Sequence, residues 1–490
     1  MALRLALVSP AQVRSGPVGA SRGSIPPLGL AYLAANVDRG RYEVRVFDPG
    51  ATGQSEAELL GELLSWGPAL VGFSTYTPTA GVVARLGAAL RAAMPGIKLV
   101  AGGPHPSAVP EQALAADPSL DAVVVGEGEW TFSELVDAFL AGGDRQDPAT
   151  VPGAWTRRDG RSVMGPIRPA TRSLDDLCQP AWDLFDLDRY SGFFHYTDRP
   201  RRAVAISFSR GCAERCLFCQ RILGDVCRVR TISSVVAEVR RNIECFGSKE
   251  FAVLDYSMLG KRDHAFEFCE ALIRSGLGRR ADWSFQCRVD HADPEIFRIA
   301  RRAGCRSVSM GAESGDEMVL KRTGKGTRPE QAIQAVRWAR EAGLLTDVGY
   351  IIGLPWDTHQ TIGATIDQAV RVNSDMAFFS RLTPYPGTAV ASMAEKGTGG
   401  LRLLDGGWEL YDRHQGGCAE LVTVSDKELT RLQLRAYLRF YLRPRHLPSI
   451  LRVIRFPVMV HFGWTVLANF VTPLLRRLRG RLGWGRKVPA

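Results

Sequence analysis

The chain has 490 residues, a length that suggests two or three domains rather than one. Its 45% hydrophobic and 23% charged residues form a globular balance and exclude a chain dominated by disorder. The net charge of +11 gathers at one end: residues 441–490 hold ten Arg and Lys and no Asp or Glu, which leaves +1 on residues 1–440 and excludes broad nucleic-acid binding across the body.

Residues 1–142 alternate short apolar runs with amphipathic stretches. LRLALVSP, YEVRVFD, ALVGFSTY, KLVAGG and LDAVVVGEG read as strands, with helices between them and WTFSELVDAFLAG closing the series. This pattern predicts a doubly wound, Rossmann-like parallel sheet, which binds ligands beyond the carboxyl ends of its strands. There the sequence is rich in Gly and Pro: SIPPLG, STYTPT, GGPHPS and GEGE.

Residues 143–200 turn polar and Pro/Gly-rich and read as a small hairpin and linker. Alternation resumes over 201–395. AVAISFS, FAVLDYS, DWSFQCRV, SVSMGAE, TDVGYIIG and DMAFFSRL are candidate strands with helices between, which predicts a partial (β/α)6 barrel with its chemistry at the C-terminal strand ends. Residues 396–490 are expected to be largely helical, with DKELTRLQLRAYLRFYLRPR as a clear amphipathic helix. Residues 456–475 lack any charge and have arginines on both sides, so 446–490 is a candidate for peripheral contact with an anionic membrane surface. Nine of the ten cysteines fall from Cys178 to Cys305 without a regular paired framework, and no signal peptide precedes the first strand-like run; a cytoplasmic compartment fits.

The strongest local signal is Gly211-Cys212-Ala213-Glu214-Arg215-Cys216-Leu217-Phe218-Cys219, directly after a strand. C-x3-C-x2-C in one compact loop can aim three thiolates at three corners of one cluster. A four-iron cluster normally takes four thiolates, so three leave one iron open to a ligand that offers an amine and a carboxylate. The alternative is a structural zinc loop, but zinc favours four ligands in paired knuckles, and no second half follows. Cys227, eight residues past Cys219, reads as a bland thiol.

This loop, with Phe218 just before its third cysteine, resembles the signature of the radical S-adenosylmethionine (SAM) superfamily. The resemblance implies a 4Fe–4S cluster on Cys212, Cys216 and Cys219 whose open iron binds SAM. Electron transfer from an external donor of the flavodoxin or ferredoxin type then cleaves SAM to a 5′-deoxyadenosyl radical. Later landmarks resemble the family's SAM contacts in order: Asp255 at a strand end, where relatives often carry two acids and this chain has Asp255-Tyr256; Gln286 and Arg288 at the next; Glu313 and Ser314 in a Glu-Ser-Gly turn; and Gly353 in GYIIGLPWDT.

The first 142 residues have no G-x-G-x-x-G after the first strand and no P-loop lysine pattern, which argues against dinucleotides and nucleoside triphosphates. PPLGLAYLAA, GFSTYTPTA, AGGPHPSAVPEQAL and VVGEGEWTFSELV instead resemble the cobalamin-binding half of cobalamin-dependent radical SAM enzymes, and the resemblance covers about residues 1–395. It implies cobalamin contacts at Pro27, Leu28 and Gly29, at Ser74, Thr75 and Tyr76, at Gly102, Gly103 and His105, and at Glu127 and Gly128. Cobalamin domains that place histidine on cobalt use Asp-x-His-x-x-Gly; here Asp48-Pro49-Gly50-Ala51-Thr52-Gly53 has no histidine, so the lower cobalt face is expected to lack one.

In the enzymes resembled, the adenosyl radical takes a hydrogen atom from an unactivated carbon, methylcobalamin delivers a methyl group, and a second SAM remethylates the cobalt. The expected function is C-methylation of a small-molecule natural product or lipid-linked intermediate. The alternative is a ring-forming, rearranging or oxidising enzyme of the same family. Outside this class stand an RNA- or protein-acting methylthiotransferase, disfavoured by the single cysteine motif, and a non-enzymatic cobalamin or redox sensor.

Overall fold

The computed structural model describes residues 2–11, 25–141, 146–190, 202–412 and 416–446. The first sheet contains β1 (Leu3–Val8), β2 (Tyr42–Phe47), β3 (Leu70–Ser74), β4 (Lys98–Gly102) and β5 (Ala122–Val124), all parallel, in the order β2-β1-β3-β4-β5. The inner strands β1, β3 and β4 bury both faces over most of their length, as apolar runs must when helices cover each side, whereas the edge strand β2 alternates and exposes Glu43 and Arg45. Helices Leu28–Asn36 and Gly128–Leu140 pack on one face, with Leu7, Val100 and Phe132 between the layers; Glu56–Trp66 and Ala80–Ala93 cover the other. The hairpin expected after residue 142 forms as β6 (Ala154–Arg158) and β7 (Arg161–Met164). It does not stand apart: β6 pairs antiparallel with β5 and extends the first sheet to seven strands.

The second sheet begins with β8 (Ala203–Ile206). A two-stranded ribbon, β9 (Ser209–Arg210) and β10 (Arg228–Val229), brackets the cysteine loop. Then come β11 (Glu250–Val253), β12 (Asp282–Arg288), β13 (Cys305–Glu313), β14 (Leu345–Ile352) and β15 (Met376–Arg381). The six parallel strands run in the order β15-β14-β13-β12-β11-β8, the expected partial barrel. Trp283 stacks on Phe251, 5.9 Å between ring centres, at the heart of the layer between strands and helices.

An edge strand leaves unpaired backbone groups that must be covered. Helix Asp426–Tyr441 covers β15. Gln433 donates to the Phe379 carbonyl (2.7 Å), and the Tyr441 and Tyr437 hydroxyls accept from the Ala377 and Phe379 N–H groups (3.1 and 3.2 Å). After residue 395 the described chain holds helix Asp426–Tyr441 together with a short antiparallel pair, β16 (Leu401–Leu403) and β17 (Ala419–Leu421), which the sequence reading did not include. Each has three residues, too few to show a period of two. No helix among the described residues is long and apolar enough to cross a membrane. The charge-free stretch 456–475 and most of the basic tail lie outside the described residues.

The two sheets are strapped together by the segment between them. Ala181 donates its N–H to the Ala31 carbonyl (3.0 Å), Tyr190 its hydroxyl to Asp48 (2.8 Å), and Arg241 of the barrel its guanidinium to the Pro180 carbonyl (3.0 Å). Asp48, where the histidine-on-cobalt pattern would begin, thus anchors the strap and caps the short helix Pro49–Thr52.

Candidate functional site

The carboxyl ends of the two parallel sheets face one shared cavity of about 520 Å³. From the first sheet and its helices come Leu28, Gly29, Tyr32, Ser74, Gly102, Gly103, Gly126, Glu127, Gly128 and Glu129; from the second come Arg210, Leu223, Leu254, Asp255, Tyr256 and Gln286. The wall on the first-sheet side sets glycines 29, 72, 102, 103, 126 and 128 among larger side chains such as Tyr32, Leu33, Phe73 and Phe132. Gly103 sits at φ +103° in van der Waals contact with Thr75, where an added Cβ would come 3.0 Å from the Thr75 carbonyl oxygen. The close packing of Gly103 on Thr75 admits no side chain there; the buried Thr75 hydroxyl has no hydrogen-bond partner, and Thr75 itself does not line the cavity.

Beyond the β8 end the chain enters the cysteine loop. Gly211 turns it at φ +86°, and any Cβ there would strike the Val226 carbonyl at 2.2 Å. Leu217 donates its N–H to the Thr323 carbonyl (2.9 Å), docking the loop on the turn after β13. Cys212, Cys216 and Cys219 are free and partly exposed. Among the described residues no three His, Cys, Asp or Glu groups converge to hold a single metal ion, so the geometry gives the zinc alternative no support. A cubane takes each thiolate on a different iron and needs no such convergence. Burial pushes the Cys219 thiol up to about 11, and Cys216 is also raised, so the thiolates require cationic partners. Arg288 supplies one, its guanidinium 3.4 Å from the Cys216 sulfur. It is held there by Asp290 (2.9 and 2.8 Å) and by the Lys325 carbonyl (2.6 Å).

The other residues singled out in the sequence divide. Gln286 reaches the cavity. Glu313 lies at a bulge in β13 with φ +63° and pairs with Lys325 (2.9 Å). Burial opposes charge on Lys325, but Glu313 holds its pKa above the ordinary value. Asp255 lines the cavity, yet both its oxygens are engaged, by the Phe208 N–H (2.9 Å) and the Ser209 hydroxyl (2.6 Å). Burial pushes its carboxyl up to about 6. Phe218 is half-buried against the barrel core. Ser314 is buried within its turn, bonded to Thr365 (3.2 Å), and Gly353 donates to Asp357 (3.1 Å) beneath Leu429; neither lines the cavity.

On the cobalamin side, Leu28, Gly29, Ser74, Gly102, Gly103, Glu127 and Gly128 all line the cavity, and Pro27 caps helix Leu28–Asn36 next to it. Tyr76 is exposed and outside the cavity. His105 is not among the residues that line the cavity. Its ring turns away from the cavity and packs edge-on against Trp408, 5.1 Å between centres, because helix Pro104–Ala108 directs it toward the C-terminal segment; burial lowers its pKa to about 4.

Sequence reasoning missed the ionic lattice in the cavity wall. Arg210 donates to Glu129 (2.6 Å), lies 3.4 Å from Glu127 and stacks 5.0 Å over the Tyr32 ring. Glu127 also accepts from Arg228 (3.0 and 2.8 Å) and the Thr171 N–H (2.8 Å). Burial works against the Glu127 carboxylate, but these donors hold its pKa below the ordinary value. The lattice ties the residue before Gly211-Cys212 to the GEGE stretch of the first sheet. The available signal was the arginine abutting the cysteine motif.

The comparisons agree with this geometry. The B12 binding domain family matches residues 15–136, and the radical SAM superfamily matches residues 206–369. An uncharacterized methyltransferase of Pyrococcus horikoshii is 31% identical over 425 residues, covering 86% of this chain and 88% of its own. The anaerobic magnesium-protoporphyrin IX monomethyl ester cyclase of Rubrivivax gelatinosus is 30% identical over 370 residues, covering 74% of this chain and 65% of its own. The structure of the radical SAM methyltransferase TsrM from Kitasatospora setae, with cobalamin and a 4Fe–4S cluster bound, superposes with a TM-score of 0.68 at 21% identity, covering 91% of this chain and 90% of that one. The residues present fit these groups: three free thiols, one of them beside a guanidinium, for the cluster, and a wall with glycines at the strand ends for the corrinoid. The chain therefore belongs to the cobalamin-dependent radical SAM enzymes, with cobalamin, a 4Fe–4S cluster and SAM as its cofactors.

Proposed function

We propose that this enzyme methylates an unactivated carbon of a small natural-product or lipid-linked intermediate. The observation that carries the reading is the single cavity fed by both sheets: a substrate seated there meets the first sheet's Ser74, Gly102 and Gly103 on one side and Gln286 of the barrel on the other. In the assignment proposed, Cys212, Cys216 and Cys219 hold the cluster. Arg288 neutralises Cys216 and so favours its thiolate, while Gln286 and Glu313 orient SAM. Asp255 is a positioning residue: by binding the Phe208 and Ser209 backbone and hydroxyl it aims the strand end that enters the cysteine loop. Glycines 102, 103 and 128 leave room for the corrinoid. When bound, the cofactors supply a carbon radical and a methyl group; the chain's own part is to hold them in register and exclude water.

A second reading, ring formation or oxidation without methyl transfer, is favoured by the 30% identical cyclase relative. One experiment separates the two. The reconstituted enzyme is incubated anaerobically with methyl-deuterated SAM, reductant and fractionated small-molecule or lipid extracts. Methylation predicts a deuteromethyl product with S-adenosylhomocysteine and 5′-deoxyadenosine rising together. A fraction that raises 5′-deoxyadenosine alone overturns methylation in favour of the second reading.

A further inference from the structure

Among the described residues, three exposed cations beside the cysteine loop make no ion pair. Most neighbouring arginines are paired: Arg221 with Asp225, Arg228 with Glu127, and Arg288 with Asp290 and Glu214. Arg215, inside the loop, and Lys321 and Arg322, at the end of helix Glu317–Arg322, make no ion pair among the described residues and face solvent. The fold brings them together. Gly324 lies so close to the loop that an added Cβ would meet the Arg215 carbonyl at 2.6 Å, and the Gly324 N–H closes the helix by donating to the Lys321 carbonyl (3.2 Å). Arg322 rests over the Trp356 ring, 5.6 Å from its centre. Met318, 55% exposed, lies on the same helix three residues before Lys321 and four before Arg322, so it shares their face. Glu317 is the one acid within that helix.

Exposed methionine and arginine are the residues enriched at protein interfaces, and a cationic patch steers an acidic partner toward it. Its position narrows the partner. Arg215 is covalently adjacent to Cys216, and the helix end reaches Leu217 through the Thr323 hydrogen bond. A protein docked here would lie against the backbone that flanks Cys216, and none of Arg215, Met318, Lys321 and Arg322 lines the cavity.

We infer that Arg215, Met318, Lys321 and Arg322 form the docking surface for an acidic one-electron carrier protein that reduces the cluster. This rests on the radical SAM assignment and adds where the electron enters. One electron leaves the reduced flavin or iron–sulfur centre of the carrier and enters the cluster. The carrier is oxidised by one electron, the cluster is reduced by one, and no bond or proton need move between the proteins.

The test is anaerobic stopped-flow reduction of the holoenzyme, read as bleaching of the cluster's visible absorbance. The reductants are flavodoxin hydroquinone, dithionite and reduced methyl viologen. Steering by a charged patch is worth roughly 10- to 1,000-fold in association rate and collapses with salt. The double variant Lys321→Glu/Arg322→Glu is expected to slow flavodoxin-driven bleaching at least ~10-fold at low salt. High salt should bring wild type and variant together, while the two small reductants of opposite charge bleach both proteins at rates within about twofold. The milder Lys321→Gln should give an intermediate loss. Equal flavodoxin rates in wild type and variants at low salt overturn the proposal, as does an equal slowing with all three reductants, which would place the effect on the cluster itself. A wild-type protein that binds no iron and sulfide on anaerobic reconstitution would instead refute the cluster assignment.

Discussion

Replacing Arg210 should damage this protein more than replacing either acid it holds, for a reason set by the wiring of the lattice. Arg210 and Glu129 are almost completely buried, with side chains 8% and 7% exposed, and Arg210 is the sole cation within 4 Å of Glu129 among the described residues. Arg210→Met therefore strands a buried carboxylate, which typically costs about 3–5 kcal/mol. Glu129→Gln is gentler. Its amide oxygen still accepts from Arg210, and the guanidinium keeps Glu127 at 3.4 Å; the loss should be about 1–2 kcal/mol, the scale of a weakened charged hydrogen bond. The double variant removes both charges at once and should be less destabilised than the sum, and no worse than Arg210→Met alone. The assay is anaerobic urea unfolding of the cofactor-free chain followed by tryptophan fluorescence, with each midpoint compared at constant slope. Equal losses for the two single variants, or strict additivity in the double, would refute the reasoning, because then Glu129 would not depend on Arg210.

Cys216→Ala should reduce bound iron from about four per chain toward none, as loss of a cluster ligand requires, and abolish 5′-deoxyadenosine formation; Cys227→Ser should leave both intact. Gly102→Leu adds a Cβ in ordinary contact, 3.6 Å from Val124, and projects the rest into the cavity, so metal analysis of anaerobically purified protein should show cobalt lost and iron retained. Asp347, bonded to the Ser309 hydroxyl, has its carboxyl pushed up by burial to about 6. A raised carboxyl pKa contributes stability that is full below the ordinary value near 4 and is lost as pH rises through about 6. Thermal unfolding of Asp347→Asn should therefore gain on wild type as pH rises from 4 to 7, and a constant difference would count against that burial. Removing residues 446–490 should lower co-sedimentation with anionic liposomes, and unchanged sedimentation would exclude the tail as a membrane contact.

What the sequence by itself determined about this protein is what is written in neighbouring residues. An apolar run such as that at β3 marks a parallel strand because helices must cover both faces, and the alternation gives two α/β units in order. The spacing of Cys212, Cys216 and Cys219 is local chemistry and reads directly. Gly102, Gly103 and Gly128 were legible for the same reason, since Gly102 ends a strand, Gly103 follows it, and Gly128 opens the helix after the next strand.

Tertiary structure alone decided what distant segments do to one another. Arg210 meets Glu129 across 81 positions and Lys325 reaches back to Glu313 across a helix, and neither pairing has a period to detect. His105 looked like a cavity residue because its neighbours are; the turn of a five-residue helix sends it to Trp408 instead. Helix Asp426–Tyr441 announced its amphipathicity but not its task, which is to satisfy the open edge of β15. The physical reason is common to all these cases. A strand or a metal loop is specified by short-range geometry, whereas a buried charge or an unpaired backbone group is satisfied by whichever partner the completed fold delivers.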